Sequence, residues 1–308
     1  MNKKIAIIGM GNICKKGYMP VLGPKKDLDL MLYNRSPEPL AEIQAKYRIS
    51  YGTNDLDRLI GDRPEGAFVL TASDSHYAIV KRLLESDIDV YVEKPATMTV
   101  EETKELAELA DQKNKLLMVG FNRRFAPLHR KAKSLWGEKP VGLGIFRKFR
   151  SSPAFDQIYN QIYEDTIHQI DLLRFFCGDG QVESVAHDTK DGKLQSAIAV
   201  IRLDSGGIGL VETNLQAGGW REHYSLYGEQ KSIEIEAFSE LSLHQGEEKR
   251  HWVEPYSSAW QSTLAGRGFE GEINHFLNCL ETKDRPRTSA WDSVKTQELT
   301  ETIINQII

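Results

Sequence analysis

Short apolar runs alternate with amphipathic stretches through the first 120 residues of the chain. Five runs are typical of buried strands, at residues 4–9, 28–34, 66–70, 89–92 and 116–120. Between them, helical spacing of apolar residues predicts helices over residues 12–22, 37–47, 75–86 and 100–114. Near-continuous apolar strands that are separated by amphipathic helices predict a parallel sheet covered on both faces.

The pattern changes after residue 120. Helices are predicted at residues 127–135 and 163–176, and a strand lies between them at residues 141–150. Consecutive strands follow at residues 182–188, 194–203, 208–216, 221–227, 232–236 and 241–245, before two closing helices at 270–280 and 291–307. The sequence DSGG at residues 204–207 is typical of a tight turn between strands. We therefore predict two domains, residues 1–121 and residues 122–308.

Composition and charge exclude several classes of protein. The 308 residues carry a net charge of −5 without a basic stripe, which argues against a nucleic-acid partner. No apolar run approaches the roughly 18–20 residues of a membrane span. Cys14, Cys177 and Cys279 are too few and too scattered for a disulfide framework or a zinc site. The sequence predicts a cytoplasmic protein with no metal centre and no membrane partner.

The first strand leads directly into the glycine-rich sequence GMGNIC at residues 9–14. The first glycine of such a turn permits a tight connection to a helix, and the second lets a pyrophosphate approach the backbone N–H groups. We predict that Gly9, Gly11, Asn12 and Ile13 contact a dinucleotide. Cys14 stands where a third glycine is usual, and a tight turn without a ligand is the alternative interpretation.

The second strand ends at Asn34, Arg35 and Ser36. In NAD-specific sites an acid at this point accepts a hydrogen bond from the 2′-hydroxyl of the adenosine ribose. This chain has no acid there, whereas Arg35 and Ser36 suit a 2′-phosphate. We predict that all three residues contact the cofactor and that NADP is preferred over NAD. For Arg35, a solvated surface position is the alternative.

Two later features could carry chemistry. The sequence Glu93-Lys94-Pro95 closes a predicted strand, and active sites of open α/β sheets lie outside the carboxyl ends of the strands. A later helix places Glu164, His168 and Asp171 on a polar stripe among apolar residues. Buried polar groups are costly unless they are paired, so this stripe predicts a cleft or a polar partner. A surface lysine and a paired core histidine are the alternatives.

These features occur in the order found in a known family. The glycine turn, the Glu93-Lys94-Pro95 sequence, VGFNRRFAP at residues 119–127 and the helix with His168 and Asp171 resemble the Gfo/Idh/MocA oxidoreductases, relatives of glucose–fructose oxidoreductase and inositol dehydrogenase. WQSTL at residues 260–264 and RGF at 267–269 look closest to the MviM-like branch. The resemblance implies a Rossmann doubly wound parallel sheet, followed by an α/β domain with an open, predominantly antiparallel sheet.

The resemblance also implies roles for single residues. Lys94 matches the active-site lysine of the family, which would polarise the reacting oxygen during hydride transfer. His168 matches the general acid/base, and the family has an aspartate four residues earlier, where this chain has Glu164 followed by Asp165. Either acid could therefore be the catalytic partner of His168. The remaining predicted cofactor contacts are Thr71, His76, Glu93, Lys94, Pro95 and Arg123. Arg123 or Arg124 would also suit a carboxylate or hydroxyls of a substrate.

The sequence thus predicts an NAD(P)-dependent oxidoreductase. The resemblance implies hydride transfer between nicotinamide and a hydroxyl or carbonyl carbon of a sugar, cyclitol or related polyol. It also implies a homodimer or homotetramer that forms through the C-terminal sheet. A non-catalytic NAD(P)-binding sensor or scaffold is the alternative, favoured by the departures at Cys14 and Glu164. Retention of Lys94 and His168 weighs against that alternative, since a non-catalytic binder needs neither.

Overall fold

The computed structural model describes residues 2–254 and 262–308, and Trp260 and Gln261 of the WQSTL sequence lie outside the described residues. The strands are β1 (Lys3–Ile8), β2 (Leu28–Tyr33), β3 (Gly52–Thr53), β4 (Gly66–Val69), β5 (Asp89–Glu93), β6 (Leu117–Gly120), β7 (Leu143–Phe149), β8 (Gly180–Lys190), β9 (Lys193–Leu203), β10 (Ile208–Asn214), β11 (Arg221–Gly228), β12 (Lys231–Glu236), β13 (Glu240–Gln245) and β14 (Glu248–Val253). The helices are α1 (Met19–Leu22), α2 (Pro37–Tyr47), α3 (Leu56–Gly61), α4 (His76–Glu85), α5 (Val100–Lys113), α6 (Pro127–Trp136), α7 (Ile158–Asn160), α8 (Ile167–Cys177), α9 (Thr263–Gly266), α10 (Phe269–Thr282) and α11 (Ala290–Ile304). Two π-helical segments (Cys14–Tyr18 and Gln161–Thr166) and two 3₁₀ turns (Ser73–Ser75 and Asn122–Phe125) complete the described elements.

The chain divides into two compact units. The first contains Met1–Phe121 and Phe269–Val294, and the second contains Asn122–Gly268 and Lys295–Ile308. The sequence prediction placed all of residues 122–308 in one domain, so the structure differs from it for Phe269–Val294. The ring of Phe276 in α10 packs edge-on against Phe68 of β4, with 5.1 Å between the ring centroids. Apolar spacing showed that α10 has a buried face, but it carried no information about which core buries that face.

The sheet of the first unit confirms the predicted parallel fold. Among the described residues its strand order is β3-β2-β1-β4-β5-β6, and each pair of neighbours runs parallel. Every residue of β4, β5 and β6 is buried, as expected for largely apolar strands in a parallel sheet that is covered on both faces. The order reverses between β1 and β4. In open α/β sheets, ligands bind beyond the carboxyl ends of the strands at such a reversal.

Three local elements of the first unit differ from the sequence prediction. The chain from residue 12 to residue 22 was predicted as one helix, but it begins with a π-helical segment at Cys14–Tyr18 and is α-helical only in α1. The short elements β3 and α3 were not predicted at all. They are too brief to show apolar periodicity, although Asp55 caps α3 by accepting hydrogen bonds from the N–H groups of Asp57 and Arg58.

The second unit contains an open sheet of mostly antiparallel strands, which confirms the predicted fold class. In the part of the chain that the structure describes, the strand order is β14-β13-β12-β11-β7-β10-β9-β8, and β7 and β10 form the parallel pair. Alternate residues of β7 are buried, and α8 packs against β7 and β10. The predicted helix at residues 163–176 is α-helical only from Ile167, because a π-helical segment, Gln161–Thr166, precedes it.

Candidate active site

The turn after β1 requires glycine at one position and leaves open space at the other. Gly9 has a φ of +96°, and a Cβ there would lie 2.7 Å from the side chain of Thr71 and 2.9 Å from the carbonyl oxygen of Leu70. Both contacts are too close, so only glycine fits. A Cβ at Gly11 would meet no atom within 4 Å. The backbone at Gly11 is therefore approachable from outside, as a pyrophosphate would need.

Cys14 fits the place where a third glycine is usual. Its side chain is fully buried, and its Sγ lies 3.9 Å from the sulfur of Met10. Burial raises the pKa of the Cys14 thiol to about 12, so the group stays neutral. The close packing that a third glycine usually permits occurs instead at Gly17, where a Cβ would lie 3.0 Å from the ring of Phe269. The departure at Cys14 therefore leaves the geometry of the glycine turn intact.

A cavity of about 660 Å³ opens beside this turn. Its walls are residues 9–13 of the turn, residues 33–36 after β2, residues 70–72 after β4, and Asp74, Ser75 and Ile79. Eight of the predicted cofactor contacts line it, namely Gly9, Gly11, Asn12, Ile13, Asn34, Arg35, Ser36 and Thr71. The backbone opened by Gly11 and the volume of the cavity suit a dinucleotide.

Asn34 connects the glycine turn to the loop after β2. Its Oδ1 accepts a hydrogen bond of 2.9 Å from the N–H of Met10, and its Nδ2 donates one of 2.8 Å to the carbonyl of Ser36. Arg35 and Ser36 are both exposed. Asn34 stands where NAD-specific sites usually have an acid, and its side chain thus holds the loop that presents Arg35.

His76 connects two loops of the first unit from inside the protein. The residue is 1% exposed, its Nδ1 lies 2.9 Å from the carbonyl oxygen of Pro95, and its Nε2 lies 3.2 Å from that of Thr71. Burial and the nearby charge of Lys94 lower the pKa of His76, which favours a neutral ring. The geometry therefore gives His76 and the carbonyl of Pro95 a structural contact and places neither of them in the wall of the cavity.

The carboxylate of Glu93 holds the residue that follows it. Its Oε2 accepts a hydrogen bond of 2.9 Å from the backbone N–H of Lys94, and its Oε1 accepts one of 2.6 Å from the hydroxyl of Tyr18. Burial and the nearby carboxylates raise the pKa of Tyr18 well above its ordinary value, so its hydroxyl stays a donor. Lys94 is half-buried at the end of β5, before a cis peptide bond to Pro95.

The two acids before His168 have different surroundings. Asp165 is 5% exposed, and its carboxylate binds the guanidinium of Arg150 through two bonds of 2.8 and 2.9 Å and the ammonium of Lys148 at 2.7 Å. These cations hold the pKa of Asp165 below its usual range although burial opposes them. Glu164 is half-buried, and His168 is 9% exposed. Asp165 is therefore committed to a structural ion pair.

Arg123 and Arg124 are both held by carboxylates inside the second unit. Arg123 binds Glu222 through its Nε at 2.7 Å and its Nη2 at 2.6 Å, and Arg124 binds Asp171 through its Nε at 2.8 Å. Neither arginine lines the 660 Å³ cavity. The geometry gives no support to the predicted cofactor contact of Arg123, and it uses Asp171 as a structural partner.

Sequence reasoning missed the buried charges of the second unit. Lys148 of β7 is 2% exposed and Glu222 of β11 is 1% exposed, and the two residues face each other in register. A signal for Lys148 was present, because residues 144, 146 and 148 share the inward parity of an alternating strand. Charged residues at inward positions mark a buried network or a site, so the alternation along β7 could have identified Lys148.

Two further findings concern the described residues. Across residues 2–254 and 262–308, the structure contains no group of three or more histidine, cysteine or acidic side chains that could hold a metal ion. In the same described ranges, none of the helices combines the length and the apolar character needed to cross a membrane.

A doubly wound parallel sheet whose first strand ends in an open glycine turn defines a dinucleotide-binding protein. Two family models match the chain: the NAD-binding Rossmann fold of the Gfo/Idh/MocA oxidoreductases at residues 3–121, and their C-terminal α/β domain at residues 162–307. The chain belongs to this oxidoreductase family, which confirms the resemblance seen in its motifs.

Similar proteins cover almost the whole chain. A protein called YceM from Salmonella typhimurium is 27% identical over 97% of this chain and 96% of its own length. Myo-inositol 2-dehydrogenase from Thermotoga maritima is 23% identical over 94% of this chain and 91% of its own. The solved structure of the dehydrogenase MviM from Clostridium difficile gives a TM-score of 0.91 at 26% identity and covers 99% of both chains. An oxidoreductase from Agrobacterium radiobacter, solved with NAD+, L-tartaric acid and magnesium, gives 0.86 at 19% identity over 99% of this chain and 96% of its own.

Proposed function

We propose that this protein is an NAD(P)-dependent oxidoreductase that acts on CH–OH groups. It transfers a hydride between nicotinamide and a hydroxyl or carbonyl carbon of a sugar, cyclitol or related polyol. The observation that carries the proposal is the 660 Å³ cavity beside the open backbone of Gly11 in a chain of an oxidoreductase family. The retained Lys94, whose backbone is held by Glu93 at the end of β5, supports it further.

Lys94 and His168 carry the proposed chemistry. During oxidation of the substrate, His168 takes the hydroxyl proton, and the ammonium of Lys94 stabilises the oxygen as its negative charge grows. The nicotinamide, when bound, supplies the hydride acceptor. We assign Glu164 as the partner of His168, because the carboxylate of Asp165 is already engaged by Lys148 and Arg150.

NADP is the proposed cofactor, and NAD is the alternative. Arg35 and Ser36 are exposed in the wall of the cavity, where a guanidinium and a hydroxyl suit a 2′-phosphate. The loop at residues 33–36 contains no acid that would repel this phosphate. Asn34 holds the loop in place through Met10 and Ser36.

The proposed substrate class and assembly rest on similar proteins and on the second unit. Myo-inositol 2-dehydrogenase of Thermotoga maritima, a similar protein, is named for a polyhydroxylated ring.

We propose that the sheet of the second unit pairs with a second copy, in a homodimer or a homotetramer. Ile198 of β9 and Tyr227 of β11 are 44% and 36% exposed, which gives this sheet apolar surface to bury. The three cysteines are free, which supports a reducing compartment such as the cytoplasm.

A cofactor titration tests the first part of the proposal. Purified protein, freed of carried-over nucleotide, is titrated with NADPH and with NADH while the nicotinamide fluorescence is followed. We expect tighter binding of NADPH, and Arg35→Ala should weaken NADPH binding by about tenfold or more without affecting NADH, because a charge-assisted hydrogen bond is lost. Binding of neither nucleotide would overturn the oxidoreductase proposal.

A substrate screen tests the second part. Sugars, cyclitols and polyols are offered with the preferred nucleotide, and reduced nicotinamide is followed at its absorbance maximum. Lys94→Met should lower turnover by more than about 10²-fold with cofactor binding retained, because the oxygen loses its electrostatic stabilisation. Lys249→Met, at an exposed position of β14, is the control. Tight nucleotide binding without turnover of any compound would favour the non-catalytic sensor instead.

A further inference from the structure

We propose that Lys148 is a positioning residue that fixes the helical turn carrying His168, an inference that rests on the proposed function of His168. Lys148 lies at a buried position of β7. Thr213 of β10 and Glu222 of β11 flank it in register, and both are also buried. A buried ammonium is costly unless polar or charged groups compensate for the lost water, so its retention needs a cause.

The ammonium of Lys148 binds one residue of the neighbouring helix in two ways. Its Nζ lies 2.7 Å from the carboxylate of Asp165 and donates a hydrogen bond of 3.1 Å to the backbone carbonyl of the same residue. The carboxylate of Glu222 lies 3.6 Å from the same Nζ. Lys148 therefore holds the backbone of Asp165 as well as its side chain, which an ordinary ion pair would not do.

Asp165 lies where the helix changes its hydrogen-bonding pattern. The N–H of Ile167 donates to the carbonyl of Ile162, five residues earlier, as in a π-helix. α8 then begins at Ile167, and His168 is its second residue. π-helical turns are rare and occur frequently at functional sites. By holding the Asp165 carbonyl, Lys148 fixes the backbone from which the side chain of His168 projects.

Charged groups from three sides face Lys148. They are Asp165 of the π-helical segment, Glu222 of β11 and Arg123 of the 3₁₀ turn, and the groups that contact these three are Arg150, Tyr224 and His129. Burial lowers the pKa of Lys148 to about 8, although both carboxylates oppose this change. Burial also lowers the pKa of His129 to about 4, and the pKa of Tyr224 is raised well above its ordinary value.

The lowered pKa of Lys148 has a consequence for activity. Below the pKa of about 8, Lys148 is charged and makes charge-assisted bonds to Asp165. Above it, the neutral amine binds the carboxylate and the carbonyl more weakly, so the turn before His168 loosens. Turnover should therefore fall on the alkaline side of this pKa, even though deprotonation of a general base would by itself raise the rate of oxidation.

Kinetics of Lys148→Met, measured on the whole 308-residue chain, test the inference. With a substrate from the screen, we expect kcat to fall by about 10- to 100-fold, because misplacement of a catalytic group by an ångström costs this much. The Kd for NADPH should change by less than about threefold, and the alkaline fall of the wild-type rate should disappear. Lys193→Met, an exposed lysine of β9 that pairs with the exposed Asp156, should retain both kcat and the alkaline fall.

A kcat of Lys148→Met within about threefold of wild type, or a lower kcat with the alkaline fall retained, would overturn the inference. A second measurement needs no substrate and no variant of Lys148. In wild-type protein with 15N-labelled histidine, the His168 resonance, assigned with His168→Asn, should shift with a midpoint near the Lys148 pKa of about 8. An unresponsive resonance over that range would also overturn it. If the wild type turns over no compound, the proposed function fails, while this resonance still decides the inference.

Discussion

The hydroxyl of Tyr18 donates a hydrogen bond of 2.6 Å to the carboxylate of Glu93. Tyr18 ends the π-helical segment that follows the glycine turn, and Glu93 is the last residue of β5. The other oxygen of this carboxylate accepts the N–H of Lys94. One buried carboxylate therefore connects the glycine turn to the backbone of the proposed catalytic lysine.

Replacing Tyr18 by Phe should destabilise the protein by about 1–3 kcal/mol, because the buried carboxylate of Glu93 loses a donor. Urea unfolding at neutral pH, followed by circular dichroism, measures the change. Tyr77→Phe is the matched control, since the hydroxyl of Tyr77 binds Glu105, whose side chain is half exposed. An equal loss in both variants would contradict the importance of the buried contact.

Replacing Gly9 by Ala should destabilise the first unit by about 1–3 kcal/mol and abolish nucleotide binding, because a side chain is strained at positive φ and its Cβ would clash with Thr71. Thermal unfolding and NADPH titration measure the two effects. Gly11→Ala should unfold at the wild-type temperature, since its Cβ would meet no protein atom within 4 Å. Normal stability of Gly9→Ala would show that the turn relaxes without cost.

Replacing Asn34 by Asp should shift the nucleotide preference towards NADH. The new carboxylate cannot donate to the carbonyl of Ser36, and it places a negative charge near the proposed 2′-phosphate position. We expect the ratio of the Kd values for NADH and NADPH to fall by about tenfold or more, the equivalent of one lost charge-assisted hydrogen bond. Fluorescence titration with both nucleotides measures the ratio. An unchanged ratio would show that Asn34 and its loop do not contribute to the preference between NADPH and NADH.

Replacing Glu222 by Gln should lower the free energy of unfolding by about 3–5 kcal/mol at neutral pH, because the buried Arg123 and Lys148 lose a charged partner. The charges of Arg123 and Lys148 hold the pKa of Glu222 far below the ordinary value of 4.5. The stabilisation by this carboxylate is therefore complete above pH 4.5 and is lost as the pH falls towards the folded-state pKa.

The difference in unfolding free energy between wild type and Glu222→Gln should accordingly shrink below pH 4.5. Urea titrations at several pH values measure this trend. Glu236→Gln is the control, because Glu236 and its partner Arg221 are both solvent-accessible, and such a pair contributes only about 0–1 kcal/mol. A difference that is independent of pH would contradict the assignment of the charged form to Glu222.

Local sequence was sufficient for the parallel sheet, the glycine turn and the family. Buried parallel strands need largely apolar runs, and a tight turn after β1 needs Gly9. Residues that are close together in the sequence therefore determine both features. The same holds for the resemblance, because Glu93, Lys94 and His168 belong to short motifs that keep their order along the chain.

Tertiary structure alone decided which partners these residues have. The sequence could not show that Asp165 binds Lys148 of β7 and Arg150, the contacts on which our proposal of Glu164 as the partner of His168 depends. Nor could it assign α10 to the first unit. Local patterns encode backbone geometry and the direction of a side chain, whereas the pairing of buried charges depends on contacts between residues far apart in the chain, and burial makes those contacts energetically decisive.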